Sequence, residues 1–286
     1  MNTSKYPIYI ISKGRWERRQ TIKTLNSMNV FYRVVVEPGE YDEYKRVVNE
    51  KQIIVCPENF SEKGNGSIPV RNFVFEHSEK EGHKKHWILD DNLESVERYN
   101  NNMKVPCKSI SPFLACENFT DRYKNIGLSG MNYASFCPAS DGRPPFQINT
   151  RVYSCILVNN EIPFRWRGRY NEDTDLSLRV LKYGWNTILF NAFLIGKRAT
   201  MCQKGGNEQI YNDSDNRKEF AESLKNQHPD LVDVVWRFER WHHQVNYKPF
   251  KNRNLEYKDD YVVPENKINN YKMKLYRSKK RNENTQ

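Results

Sequence analysis

The chain has 286 residues, with 46 Lys and Arg against 35 Asp and Glu for a net charge of +11, and it is 37% hydrophobic and 13% aromatic. Its 17 Tyr, 14 Phe and 6 Trp supply enough large side chains for a core despite a mean hydropathy of −0.89, which excludes wholesale disorder. No window approaches the roughly 18–20 apolar residues of a membrane span, and the basic excess points to a polyanionic partner, nucleic acid foremost.

The first strand is expected over Ile8-Tyr9-Ile10-Ile11, delivering the polar loop Ser12-Lys13-Gly14-Arg15. A helical stretch follows to about Met28, then a strand over Phe31–Val36 closed by Glu37-Pro38-Gly39. Residues 41–48 read as helix, Gln52–Cys56 as a third strand, and Ser67 with Pro69 opens a helix running to about Glu81. A fourth strand, His86–Leu89, ends in Asp90-Asp91-Asn92. Four alternations of strand and helix in about 90 residues imply an α/β fold with a mostly parallel, doubly wound sheet.

Residues 93–146, rich in Asn, Pro and Gly, read as an irregular excursion. Arg151–Val158 is a strand, Glu172–Tyr183 a helix, and Thr187–Phe190 and Phe193–Ile195 are two closing strands. A helix over 215–227 stops before Pro229. The organisation expected is one domain over 1–250 and a basic polar extension over 251–286 ending in Arg277-Ser278-Lys279-Lys280-Arg281. The six cysteines (Cys56, Cys107, Cys116, Cys137, Cys155 and Cys202) form no C-x-x-C pair, which argues against a zinc ribbon or disulfide scaffold and for free thiols in a reducing cytoplasm. The first residues run into a strand and not a signal-peptide core.

In parallel sheets, ligands sit at the carboxyl ends of strands. Asp90 and Asp91 lie there, and paired carboxylates suit Mg²⁺ or Mn²⁺; the ordinary alternative is a turn in which they satisfy local backbone groups. Glu172, Asp173 and Asp175 open a helix. One acid there serves the helix dipole, whereas three repel one another and fit a proton-transfer or cation-binding role as well. Gly205-Gly206-Asn207 offers backbone N–H groups to an anion or is simply a turn. His242 and His243 offer imidazoles or face solvent. Arg165-Trp166-Arg167-Gly168-Arg169-Tyr170 mixes cations with aromatics, as a nucleic-acid contact or as an amphipathic loop.

Together and in this order, Ser12-Lys13-Gly14-Arg15, Pro69-Val70-Arg71-Asn72, Leu89-Asp90-Asp91-Asn92, Tyr170-Asn171-Glu172-Asp173-Thr174-Asp175, Gly205-Gly206-Asn207 and Arg240-Trp241-His242-His243 resemble a nucleotide-sugar glycosyltransferase of the GT-A fold. More narrowly they resemble the TET-associated glycosyltransferases of bacteriophages, over roughly residues 6–250. That resemblance implies a GT-A-like, Rossmann-like sheet flanked by helices, acting in the cytoplasm of a bacterial host. It implies a UDP-sugar donor, Mn²⁺ or Mg²⁺ as cofactor, and double-stranded DNA carrying 5-hydroxymethylcytosine or another hydroxymethylated pyrimidine as acceptor.

By the same resemblance, Ser12, Lys13, Gly14, Arg15, Arg71, Asn72, Asp90, Gly205, Gly206 and Asn207 bind the nucleotide sugar. Asn92 stands where a strict D-x-D spacing has its second carboxylate, so Asp91 is the expected principal metal ligand, with Asn92, His242 or His243 completing the shell. Asp173 is the expected catalytic base, accompanied by Glu172 and Asp175. Arg165, Trp166, Arg167, Arg169 and Tyr170 are the expected DNA contacts, with Trp166, Tyr170 or Trp241 stacking on a base turned out of the duplex. The competing readings are a GT-A enzyme acting on a glycan or protein, a metal-dependent nuclease using Asp90, Asp91, Glu172 and Asp173, and a catalytically silent DNA-binding module.

Overall fold

A computed structural model describes residues 1–64, 66–100, 102–139, 143–197 and 216–262. The strands are β1 (Ile8–Ile11), β2 (Arg33–Val36), β3 (Ile53–Val55), β4 (Lys85–Asp90), β5 (Leu93–Asn100), β6 (Met103–Pro106), β7 (Ile126–Tyr133), β8 (Phe146–Ile148), β9 (Cys155–Asn159), β10 (Asn186–Lys197), β11 (Val232–Arg237) and β12 (Arg240–Val245). The helices are α1 (Gln20–Ser27), α2 (Tyr41–Lys45), α3 (Ile68–Lys80), α4 (Ser111–Thr120), α5 (Glu172–Tyr183) and, from Arg217 to Gln227, α6.

One ten-stranded sheet runs in the order β3-β2-β1-β4-β9-β7-β10-β5-β6, with β8 paired to β10. β1, β2, β3, β4, β6, β7 and β10 point one way and β5, β8 and β9 the other, so the sheet is mostly parallel in direction. The order 3-2-1-4 at one end is the Rossmann half-sheet. The α/β, GT-A-like architecture expected from the sequence is the one observed.

Apolar residues on the two sheet faces build two cores. One holds Ile8, Ile10, Val34, Trp87 and Leu89 with Ile22, Leu25 and Phe113 from α1 and α4. The other holds Tyr9, Ile11, Ile88 and Val158 with Val74, Phe75, Leu176 and Val180 from α3 and α5. The alternation of β1 between the two clusters is the period-2 pattern of a strand buried on both faces. A smaller core joins Leu178 and Leu181 of α5 to Leu224, Leu231, Val232 and Phe250.

Two expectations are corrected. Residues 93–146 are no irregular excursion, since they contain β5, β6, α4 and β7, and β7 lies in the middle of the sheet. Its sequence, Ile-Gly-Leu-Ser-Gly-Met-Asn-Tyr, lacks a β-branched run because the backbones pass so closely here that a Cβ on Gly130 would meet the Cys155 carbonyl oxygen at 2.3 Å. The two closing strands are one strand, β10, whose register against β7 shifts between Phe190 and Leu194. Residues just past 250 are fastened to the domain: Tyr257 stacks on Tyr123, and the Arg253 guanidinium donates to the carbonyls of Leu181 and Trp185 at 2.6 and 3.0 Å. The basic run 277–281 lies outside the described residues. No helix among the described residues is long and apolar enough to cross a membrane.

Candidate active site

The register of the sheet assembles the site. β1 pairs with β4 so that Ile11 lies opposite Asp90, and the Ser12–Arg15 loop leaves the sheet beside Asp91. β9 pairs antiparallel with β4, Leu89 opposite Cys155, which sets Ser154 against Asp90; the Asp90 N–H donates to the Ser154 carbonyl at 2.9 Å. α3 crosses above these ends and carries Arg71, while the first turn of α5 brings Glu172 and Asp173.

Arg71 is the hub. It is only 3% exposed, yet its guanidinium lies 3.0 Å from Asp90, 3.7 Å from Glu172 and 3.6 Å from Asp173. Burial lowers the pKa of a guanidinium, but the three carboxylates outweigh it and hold Arg71 above the ordinary value. One oxygen of Asp90 accepts from Arg71, and the other accepts from the Ser154 hydroxyl at 2.6 Å and the Lys197 ammonium at 2.7 Å. Burial would raise the Asp90 pKa; Lys197 and Arg71 outweigh it and hold the group well below the carboxylate range. Lys197 is raised in turn, because Asp90 overcomes its desolvation.

Glu172 behaves differently. Burial and then the neighbouring Asp173 charge push its pKa up, and its hydroxyl contact is a long one, 3.4 Å from Ser67. Asp173 is oriented at both oxygens, by the Trp166 indole N–H at 3.0 Å and the Ser154 backbone N–H at 3.4 Å. Ser154 holds a left-handed backbone, φ 59°, without being glycine; such local strain is typical of functional sites and here aims the hydroxyl and amide at two different carboxylates. The arrangement joins partly buried carboxylates, Asp90 of lowered and Glu172 of raised proton affinity among them, to fixed cations, which is what proton abstraction beside a departing anion requires.

Asp91 forms a second cluster with the first loop. It accepts from the Ser12 hydroxyl at 2.9 Å and from the Arg15 guanidinium, and the Lys13 amide lies 3.4 Å away. Burial raises the Asp91 pKa, an effect that Arg15 only partly offsets. Gly14, at φ 65°, turns its N–H onto the Glu40 carboxylate, 2.9 and 3.0 Å from its two oxygens. Asn72 does not face this space: its side-chain amide clamps the Trp166 backbone, accepting from the N–H at 2.8 Å and donating to the carbonyl at 2.9 Å.

The donors expected to hold Mn²⁺ or Mg²⁺ are otherwise engaged. Both Asp90 oxygens face protein cations, Asp91 faces Arg15, and Asn92 offers one neutral buried oxygen without a partner among the described residues. His242 and His243 lie on β12, outside the main sheet, and His243 is pushed down to about 4 by burial and by Arg151. Among the described residues no group of three or more His, Cys, Asp or Glu side chains comes together as a metal site. A divalent ion would have to displace Lys197 or Arg71 first, so these side chains as placed do not fit one.

Asp175 points away from Glu172 and Asp173. Fully buried, its carboxylate takes hydrogen bonds from Arg167, Arg179 (2.8 Å) and His228 (2.9 Å), which hold its pKa low against the burial that would raise it. The proposed DNA loop is divided likewise. Trp166 is buried under α3, and Tyr170 stacks on Phe220 with centroids 3.9 Å apart, so neither ring is free to take a base. Arg165 pairs with Glu79 at 2.6 Å, Arg167 with Asp175, and Arg169 stays at the surface. Gly205, Gly206 and Asn207 lie outside the described residues.

Sequence reasoning missed Ser154 and the role of Lys197. Neither stands in a motif, and only the strand register brings them to Asp90. A family model described as TET-Associated Glycosyltransferase matches residues 6–206, a stretch that takes in Ser12, Arg71, Asp90, Ser154, Asp173 and Lys197. No curated protein matches the chain.

Proposed function

From the premise that the chain belongs to the TET-associated glycosyltransferase family, and is therefore a glycosyltransferase, we propose that it moves a sugar from a UDP-sugar onto the hydroxymethyl oxygen of 5-hydroxymethylcytosine in DNA. The observation that carries the reading is the convergence of Asp173, held by Trp166 and Ser154, with the Arg71–Asp90–Lys197 cluster at the strand ends.

In this proposal the acceptor hydroxyl loses its proton to Asp173 as its oxygen bonds to the anomeric carbon and the carbon–diphosphate bond breaks. A single displacement of this kind inverts the anomeric centre. Glu172 lies next to Asp173 in the first turn of α5, its own proton affinity raised by burial and by the Asp173 charge. Negative charge gathers on the leaving diphosphate, and Lys197, Arg71 and Arg15 are the cations at hand to meet it. Fixed ammonium and guanidinium groups thus take the part expected of a divalent ion. The basic surface suits the phosphate backbone of DNA, which gives affinity largely independent of sequence.

The test is to incubate the protein with a panel of UDP-sugars and duplex DNA containing 5-hydroxymethylcytosine, then digest and weigh the nucleosides. A mass gain of one sugar, lost in Asp173→Asn and Lys197→Met, is the expected result. UDP release with unchanged nucleosides refutes the DNA acceptor and leaves a glycan or protein in its place. Shortened DNA without any sugar requirement returns the nuclease.

A further inference from the structure

β11 and β12 form a separate two-stranded hairpin, beyond the stretch matched by the family. Its register pairs Arg237 with Arg240 and Trp236 with Trp241, leaving Phe238-Glu239 as a two-residue turn. Both turn residues are left-handed, at φ 51° and 57°. That geometry favours Asn-Gly, and a phenylalanine gains nothing from it locally. Nor does Phe238 gain by burial, since it is 86% exposed, and Trp236 beside it is 55% exposed. An apolar tip kept in a strained turn and in solvent is explained by something it enters.

The surroundings identify the partner. Arg237 and Arg240 flank the tip, and the Lys218 ammonium lies 5.2 Å over the Trp241 ring. Behind the tip is a cavity of about 400 Å³ lined by Phe238, His242, His243, Arg151 and Tyr247 among others. The Tyr247 hydroxyl is buried beside the Arg151 backbone. Arg151 continues towards the acidic centre, lying 5.1 Å over the Tyr153 ring; Tyr153 packs on Tyr133, whose hydroxyl is 3.4 Å from Lys197. Cations on either side of an apolar wedge match phosphates on either side of a base step.

We propose that the hairpin is a wedge for duplex DNA: Phe238 enters the base stack, Arg237 and Arg240 hold the flanking phosphates, and the cavity beside Arg151 and Tyr247 takes a displaced base. The wedge rests on the reading of DNA as acceptor and supplies what that reading needs, because the hydroxymethyl group of a stacked pyrimidine lies in the major groove and reaches a recessed carboxylate such as Asp173 only when the base is turned out. It also replaces Trp166 and Tyr170, which are buried, as the aromatic that opens the duplex.

The experiment uses a duplex and a single strand of one sequence, each with one 5-hydroxymethylcytosine and a neighbouring 2-aminopurine. Wild-type protein is compared with Phe238→Ala and with Phe238→Asn/Glu239→Gly, whose turn suits the hairpin and so keeps it folded. Wild type should raise 2-aminopurine fluorescence on binding the duplex, and both variants should lose that rise. The ratio of duplex to single-strand transfer rates should fall at least tenfold in both. An unchanged ratio together with an unchanged fluorescence rise overturns the wedge while leaving DNA as acceptor. If wild type transfers sugar to neither strand form and gives no fluorescence rise, both readings fall. A fluorescence rise that depends on Phe238 without any transfer upholds the wedge and refutes the acceptor.

Discussion

Arg71→Met tests whether the carboxylates of the site depend on one buried cation. The substitution keeps most of the apolar stem and removes a charge that lies 3.0 Å from Asp90, 3.6 Å from Asp173 and 3.7 Å from Glu172. Deleting one partner of a buried pair costs about 3–5 kcal/mol, because the other charge stays behind unpaired. Lys197 still serves Asp90, so the lower end, about 3 kcal/mol, is expected. With an m-value near 3 kcal/mol/M, the urea midpoint should drop by about 1 M. The loss should also depend on pH. Without Arg71 the Glu172 pKa, already raised, climbs further above its unfolded value, which destabilises the fold wherever that carboxylate is ionised. Stability is therefore regained as pH falls through the folded-state pKa, and the deficit near pH 5 should be smaller than near pH 8. Adding Glu172→Gln should recover about 1 kcal/mol or more of the loss near pH 8. A midpoint shift below about 0.3 M, or a deficit equal at both pH values, refutes this account of the hub.

His86 is fully buried and pushed down to about 4, chiefly by desolvation, with its Nδ1 2.7 Å from the Asn160 side-chain oxygen. Its folded pKa lies below the unfolded one, so its contribution falls away between about pH 6.5 and pH 4, by up to ~3 kcal/mol. His86→Gln should flatten the acid side of a plot of Tm against pH, and an unaltered slope would count against the burial argument. Trp166→Phe removes one hydrogen bond to Asp173 and should lower kcat by about tenfold, with little change in the donor KM. Equal loss in kcat and gain in KM would show that the indole positions substrate and not the base. If Lys197 and Arg71 supply the charge at the leaving group, activity should survive EDTA within about twofold while Lys197→Met loses at least about a hundredfold. Loss under EDTA that Mn²⁺ restores would refute the fixed-cation reading.

Much of the site is legible because its residues follow directly on strands: Ser12 after β1 and Asp90 at the end of β4 need only the alternation of strand and helix to be placed at one edge. The acidic cluster shows how far that reasoning carries. Asp175 is two residues beyond Asp173, about 200° around a helix, so the two point to opposite faces once a helix is assigned. Counting three carboxylates in a row misses this, and the partners of buried Asp175, namely Arg167, Arg179 and His228, account for its presence structurally.

What was illegible is whatever long-range pairing decides. β7 reads as loop because Gly130 satisfies a close backbone approach visible only once β9 lies beside it, and Gly127 leaves room for Val180 of α5. Ser154 and Lys197 are ordinary residues until β4, β9 and β10 share a sheet. The hairpin is a different case: Val-Asp-Val-Val-Trp-Arg alternates like a strand with β-branched residues, and that signal was available. Its turn was not, since Phe238-Glu239 contradicts the local preference for Asn-Gly. Local rules fail at Ser154, where a non-glycine left-handed backbone serves two carboxylates, and again at Phe238, where it holds an aromatic ring in solvent. Left-handed non-glycine backbone also occurs at Arg19 and at four asparagines, a residue type that tolerates it, whereas at Ser154 it aims two donors at two carboxylates and at Phe238 it presents the ring assigned to the DNA contact.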